Sequence, residues 1–277
     1  MRIRTTSTQR TYRYVRLMIL GATLLLCVAI GVQAVVGGGL PSVSASYYTP
    51  AGPMFVASLF VVAAAFLALS GRSVEQGLLD IAAVLALVVA VVPTTVSSPV
   101  CGSATSCVLP AVLPTVANNG IAVASVVLVG TIAAIVLAVV QGTFSRGVAA
   151  TASVVAALTI GLAVWAGVDP GSFLVLAHNA AAVAFFVVIG AVAVVAAWRP
   201  QRAPRRFRRA YAVVAGGILF TLVGLGVVLV AAVAGAEVSA PVPWVLIGEV
   251  AALVFFAAFW AVQTVELWND PDPRLRL

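Results

Sequence analysis

The sequence predicts an all-α fold, a polytopic transmembrane helical bundle of about eight spans with both termini cytoplasmic. Of the 277 residues, 63% are hydrophobic and only 8% are charged, whereas a soluble domain carries about 25% charged residues. Long apolar stretches alternate with short polar breaks along the whole chain. Because so few charges cannot cover a water-facing surface, we expect most of the surface to face lipid.

Each predicted span approaches the roughly 20 apolar residues that a helix needs to cross a bilayer. The eight spans are residues 17–36, 54–70, 78–96, 116–140, 148–168, 173–197, 212–234 and 244–265. The turn Asp169-Pro170-Gly171-Ser172 separates the fifth span from the sixth. These spans define a transmembrane domain over residues 17–265. A basic cytoplasmic segment (1–16) precedes this domain, and a cytoplasmic tail (266–277) follows it.

The arginines predict the orientation of the chain in the plasma membrane. With eight spans, all fifteen basic residues, every one an arginine, fall on the same side. Basic residues stay cytoplasmic, so both termini are predicted inside. Six arginines follow the sixth span: Arg199, Arg202, Arg205, Arg206, Arg208 and Arg209.

This arginine cluster also predicts an anionic-lipid patch at the cytoplasmic face, since each basic residue near an anionic surface contributes about 1 kcal/mol. A role in topology alone is the alternative. No stacking aromatic platform accompanies the charge, so we predict no nucleic-acid partner.

The residue types that the chain lacks exclude several cofactors. Without a lysine there is no Schiff base for retinal or pyridoxal phosphate. The single histidine, His178, cannot supply paired haem ligands or a multi-histidine metal cage. We therefore predict no cofactor and no metal.

Two of the three cysteines, Cys101 and Cys107, lie six positions apart in a predicted outer loop. On the oxidising side of the membrane they are predicted to form a disulfide worth about 2 kcal/mol. Two free thiols are the alternative.

Polar side chains near the outer ends of three predicted spans suggest a ligand pocket. Glu249 is the only acid well inside a span, and an acid at mid-membrane costs roughly 3 kcal/mol and often marks function. The segments 117–124 and 177–184 resemble one another, which suggests related helical hairpins. The alternative is that these polar groups hydrogen-bond one another and fix helix packing. The predicted outward-facing cluster comprises Asn118, Asn119, His178, Asn179 and Glu249, with Tyr47 and Tyr48 at its mouth.

Several short motifs resemble those of known membrane proteins. They are Leu40-Pro41-Ser42-Val43-Ser44, Tyr47-Tyr48-Thr49-Pro50, Asp80-Ile81-Ala82 and Ala177-His178-Asn179-Ala180-Ala181. In these the chain resembles an uncharacterised actinobacterial family of polytopic membrane proteins and, distantly, the Frag/DRAM/Sfk superfamily. That superfamily has a P-x-[IV]-S motif in its first outer loop and a His-Asn pair in a later span. It typically has six spans, two fewer than are predicted here. The resemblance implies a lipid-related or membrane-organising role without a catalytic mechanism, with Pro41, Ser44, His178 and Asn179 as the characteristic positions.

We therefore expect a non-enzymatic membrane protein that engages lipid or a membrane protein partner through the outer polar cluster. A small-solute or ion transporter is one alternative. It would need a polar path through the inner half of the membrane, where Gln141, Gln263 and Asp80 are the available groups. A membrane-embedded lipid-modifying enzyme is another. It would need Glu249 and His178 within hydrogen-bond reach beside a cleft, although no GxSxG-type nucleophile motif accompanies them.

Overall fold

The computed structural model describes residues 7–71, 73–102, 106–198, 204–233 and 242–269. Within these ranges the protein is all-α, which confirms the predicted fold class. Three short 3₁₀ turns, Ser44–Tyr48, Pro99–Cys101 and Pro110–Val112, lie in the connections. The α-helices are α1 (Ser7–Val36), α2 (Gly52–Ala68), α3 (Val74–Val91), α4 (Leu113–Val140), α5 (Arg146–Val168), α6 (Pro170–Trp198), α7 (Arg205–Val233) and α8 (Trp244–Glu266).

Seven of these helices are long and apolar enough to cross a membrane, so the protein is a multi-pass membrane protein. The exception is α2, which has 17 residues and a length of about 26 Å at the α-helical rise of 1.5 Å per residue. A bilayer core is about 30 Å thick. The length and composition of the helices therefore support seven of the eight predicted spans, and α2 lies at the short limit.

Several predicted span boundaries differ from the helices, most of all at the starts of α1 and α7 and at the end of α3. The first helix begins at Ser7, ten residues before the predicted span. The third ends at Val91, five residues early, because Pro93 disfavours a helical conformation at the residue before it. Val92 is indeed extended (φ −95°, ψ 109°). The predicted break before the sixth span is confirmed, since Asp169 is the one non-helical residue between α5 and α6.

The chain divides into two compact units, which we call unit 1 and unit 2. Unit 1 comprises the described residues of Met1–Met54 and Phe186–Leu277, and unit 2 comprises those of Phe55–Phe185. The division falls within α2 and within α6, so each of these helices contributes residues to both units.

In unit 1, α8 packs against both α1 and α7. Gly217 of α7 faces the Phe255 ring of α8, and Gly248 of α8 faces Leu225 of α7. A Cβ atom on either glycine would overlap these side chains, so the glycines let the two helices approach closely.

At one end of unit 1, Tyr211 of α7 donates a hydrogen bond to Glu266 at the end of α8 (2.5 Å). At the same end, the Arg13 Nε–H of α1 donates to the Trp268 carbonyl (2.6 Å). The Arg13 guanidinium also lies 4.8 Å from the centroid of the Trp268 ring. The start of α1, the start of α7 and the end of α8 therefore lie together.

In unit 2, α3 is the central helix and packs against α4 and α5. Its alanines are almost fully buried, with Ala82 and Ala83 at 0% exposure. Gly77 lies against the Thr151 hydroxyl of α5. Small side chains along α3 let the neighbouring backbones approach closely, as is usual where helices pack inside membranes.

Candidate functional site

Glu249, the acid in the predicted outer cluster, anchors the first long loop of unit 1. Its Oε2 accepts a hydrogen bond from the Val43 N–H (2.5 Å), and its Oε1 accepts one from the Ser44 Oγ–H (2.8 Å). Val43 and Ser44 lie at the start of the 3₁₀ turn Ser44–Tyr48. The first N–H groups of a helical turn have no partner within it, and the Glu249 carboxylate supplies one from α8.

Tyr47 and Tyr48, the predicted mouth of the cluster, lie in the turn that Glu249 anchors. Both are half-buried, and their rings pack edge-to-face with centroids 5.3 Å apart. Burial raises the pKa of the Tyr47 phenol above its ordinary value, so the ring stays neutral at physiological pH. Three predicted site residues thus belong to one local structure in unit 1.

His178 is packed in the interior of unit 2. Its side chain is 1% exposed, and its Nδ1 lies 2.6 Å from the Val92 carbonyl at the end of α3. Because a carbonyl only accepts, Nδ1 carries the proton and donates it. Ala177 next to it packs with Val92 and Val116. This histidine therefore ties α6 to the end of α3.

The three predicted asparagines make no bond to this histidine among the described residues. Asn118 is exposed, and its Nδ2–H donates to Asn119 Oδ1 (3.2 Å). Asn179 is exposed. Four of the seven cluster residues lie in unit 2 and three in unit 1, and the common pocket stays a prediction.

The predicted cysteine pair is confirmed, since Cys101 and Cys107 form a disulfide with their Cα atoms 5.6 Å apart. The backbone of Cys107 also pairs with Val96 in an isolated antiparallel bridge. The bridge and the disulfide together hold Val96 and Cys101 against Cys107 within the connection between α3 and α4.

Unit 2 also contains a cavity of about 390 Å³ that the sequence did not predict. It lies between the end of α2, the middle of α3, the second half of α4 and the first half of α5. Its polar lining comes from Ser70, Asp80, Thr131 and Thr151, and the rest of the lining is apolar or glycine. The Asp80 Oδ2 accepts a hydrogen bond from the Ser70 Oγ–H (2.8 Å). Its Oδ1 is buried and has no hydrogen-bond partner in the described part of the chain.

The predicted start of span three at Leu78 puts Asp80 at the edge of that span. The helix begins earlier, at Val74, where a capping box joins Ser73 and Gln76 through two reciprocal hydrogen bonds of 3.1 Å. Asp80 therefore lies in the second turn, about 9 Å into the helix at 1.5 Å per residue. The Ser-x-x-Gln pattern was a readable signal for this earlier start.

Four arginines of the predicted lipid patch are exposed on the first turns of α7: Arg205, Arg206, Arg208 and Arg209. Arg199 and Arg202 lie outside the described residues. Beside α7 is a cleft of about 310 Å³, the arginine cleft, lined by Arg205, Arg208 and Arg209 together with Ala197, Trp198 and Ala212. The Arg208 Nε–H donates to the Ala197 carbonyl (3.1 Å). This bond satisfies a carbonyl in the last turn of α6 that has no partner within the helix.

Comparison of the chain with protein-family models, with curated proteins and with solved structures gave no significant match.

Proposed function

We propose that this membrane protein is non-enzymatic and acts by binding anionic membrane lipid in the arginine cleft. The observation that carries the proposal is the concave shape of the cleft, where three arginines line one open space of about 310 Å³. Guanidinium groups bind phosphate oxygens in a bidentate manner. Basic pockets between transmembrane helices on the cytoplasmic side commonly bind phospholipid headgroups.

The position of the cleft supports a headgroup as its ligand. Arg205, Arg208 and Arg209 precede Tyr211 by only a few residues, and Tyr211 bonds Glu266 at the end of α8. Arg13 of α1 contacts Trp268 at the same end of unit 1. The cleft and the start of α1 thus share one basic end, which the positive-inside rule places in the cytoplasm.

The same contacts support an even number of membrane crossings. The start of α1 and the end of α8 lie together, so the chain that enters the membrane with α1 returns to the same side with α8. Seven crossings would separate these ends. We therefore propose that α2 also crosses the membrane, and that both ends of the helical domain lie in the cytoplasm.

The motif resemblance to the Frag/DRAM/Sfk superfamily implies the same class of role. On that resemblance we also propose that the first outer loop, which carries Pro41 and Ser44, helps to organise the protein in its membrane. In the structure this loop is held by Glu249.

Native mass spectrometry of the purified protein with added phosphatidylglycerol or phosphatidylcholine tests the lipid proposal. The triple variant Arg205→Gln/Arg208→Gln/Arg209→Gln is compared with a matched control of equal charge change outside the predicted lipid patch, Arg4→Gln/Arg10→Gln/Arg146→Gln. Three arginines at about 1 kcal/mol each predict that the cleft variant loses at least about tenfold in phosphatidylglycerol affinity. The control and phosphatidylcholine binding should change little. An equal loss in both triple variants would mean that net charge, and not the cleft, attracts the lipid.

A further inference from the structure

We propose that the Asp80 cavity of unit 2 binds a molecule that carries an ammonium group on a compact apolar body. Asp80 accepts the N–H of the ammonium, and the apolar wall surrounds the body of the ligand. This site is separate from the arginine cleft, which selects the opposite charge.

The carboxylate of Asp80 provides the first argument. Ser70 donates to Oδ2 at 2.8 Å, whereas Oδ1 is buried without a partner in the described residues. Buried polar oxygens in proteins are almost always hydrogen-bonded, and a buried charge without compensation is costly. An acid inside a membrane helix usually marks a functional site. Oδ1 therefore lacks one donor, and a ligand in the cavity can supply it.

The wall of the cavity provides the second argument. No basic side chain is among the described residues that line it, so none of them competes for Asp80. Leu87, Val126 and Ile135 contribute apolar surface, and Gly130 and Ala134 leave room between the helices. An apolar wall with a single anionic group selects a molecule with one cationic or N–H donor group and an otherwise apolar surface.

The size of the cavity limits the ligand. Ligand pockets commonly measure about 300–1,000 Å³, and the volume of about 390 Å³ found here lies near the lower end. A compact amine fits this space, whereas a whole phospholipid does not. The same ammonium chemistry could come from a soluble amine or from the headgroup of an aminolipid such as phosphatidylethanolamine, with its acyl chains remaining in the bilayer.

Equilibrium dialysis of the full-length protein in phosphatidylcholine nanodiscs tests the proposal with two matched probes. One is 1-aminoadamantane, which is cationic at pH 7, and the other is 1-adamantanol, its neutral isostere. Empty nanodiscs supply the partition background. A charge-assisted hydrogen bond contributes about 1.5–3 kcal/mol, so the amine should bind at least about tenfold more tightly than the alcohol. The Asp80→Asn variant should abolish this preference.

Three further variants distinguish binding in the Asp80 cavity from nonspecific binding of the probes. Asp169→Asn removes an exposed carboxyl elsewhere and should leave amine binding unchanged. Ala152→Leu fills the cavity without altering Asp80 and should weaken both probes. Arg72, which follows the lining residue Gly71, lies outside the described residues, and Arg72→Gln should leave amine binding unchanged.

The proposal is overturned if amine and alcohol bind equally to the wild type, if Asp80→Asn keeps the preference, or if binding appears only in Arg72→Gln.

Addition of phosphatidylethanolamine to the nanodiscs distinguishes the two ligand sources. Competition with the probe identifies the aminolipid headgroup as a ligand, and no competition identifies a soluble amine. The arginine-cleft variants should not change either result, so this site and the lipid cleft can fail independently.

Discussion

Two acids on apolar helices, Glu249 in unit 1 and Asp80 in unit 2, differ in how fully the protein satisfies them. Both oxygens of Glu249 accept hydrogen bonds, from the Val43 N–H and the Ser44 hydroxyl. Asp80 has one satisfied oxygen and one that is buried without a partner in the described residues. An acid within a membrane helix is therefore a structural anchor when the chain supplies all its donors, and a candidate binding group when one donor is missing.

The largest expected effect on stability comes from removal of Glu249, the acid whose two oxygens both accept hydrogen bonds. Glu249→Ala leaves the Val43 N–H and the Ser44 hydroxyl without their acceptor and releases the loop between α1 and α2. Loss of hydrogen bonds to a charged group predicts about 3 kcal/mol lower stability. Thermal unfolding in detergent, followed by tryptophan fluorescence, measures it.

Ser44→Ala is the matched control for Glu249→Ala, because it removes one of the two hydrogen bonds and keeps the backbone donor. It should cost about 1 kcal/mol. If both variants unfold at the wild-type temperature, Glu249 does not anchor the loop.

The disulfide is a covalent link in unit 2, and its contribution to stability can be compared with that of the Glu249 hydrogen bonds. Reduction of Cys101–Cys107, or the double variant Cys101→Ser/Cys107→Ser, should cost about 2 kcal/mol, as expected for so short a closed loop. Cys27→Ser is the control, because Cys27 forms no disulfide. A double variant as stable as the wild type would show that the antiparallel pairing of Val96 with Cys107 suffices to hold this connection.

Asp80→Asn should change stability in the opposite direction from Glu249→Ala. The substitution keeps the acceptor for Ser70 and removes a charge whose second oxygen is buried without a partner in the described part of the chain. Burial of a charge without full compensation is costly, so its removal is expected to add about 1 kcal/mol of stability. A fall in the unfolding temperature would mean that Asp80 is an anchor like Glu249, and the contrast between the two acids would be lost.

The sequence predicted the helices well and the contacts of the polar groups poorly, for one physical reason. A helix that crosses hydrocarbon must be long and apolar, so the spans could be predicted from local sequence. The cysteine pair could be predicted in the same way, because its members are only six positions apart. The partners of Glu249 are separated from it by more than 200 positions, and His178 is 86 positions from Val92. Such bonds depend on how loops and helix ends pack, which apolar periodicity does not specify.

Similar predicted depth in the membrane did not determine which polar groups contact one another. The sequence predicts Glu249 near the outer boundary, and in the structure Glu249 accepts hydrogen bonds from Val43 and Ser44 in the loop between α1 and α2. Similar depth and the resemblance of two segments group His178 and the asparagines with it, yet His178 bonds the end of α3 and Asn118 bonds Asn119. Similar depth permits contact between helices but does not produce it, because each side chain also needs the right rotation about its helix axis.

The smallest expected effect is at Asp169, a third acid that extends the comparison to a fully exposed carboxylate. Its Oδ1 accepts the Ser172 N–H (3.1 Å) in the first turn of α6. Hydrogen bonds from Ser172 hold the pKa of Asp169 below its ordinary value of 3.8. A lowered pKa contributes stability above the ordinary pKa, and this contribution is lost as the pH falls through the folded-state value.

Asp169→Asn should therefore lower the unfolding temperature slightly at pH 7, and the difference from wild type should vanish in acid. The fluorescence of Trp165, whose indole N–H donates to the Ser172 hydroxyl at 2.8 Å, reports this turn directly. A difference that is constant from pH 7 to acid would show that the effect of the substitution is steric and not due to charge.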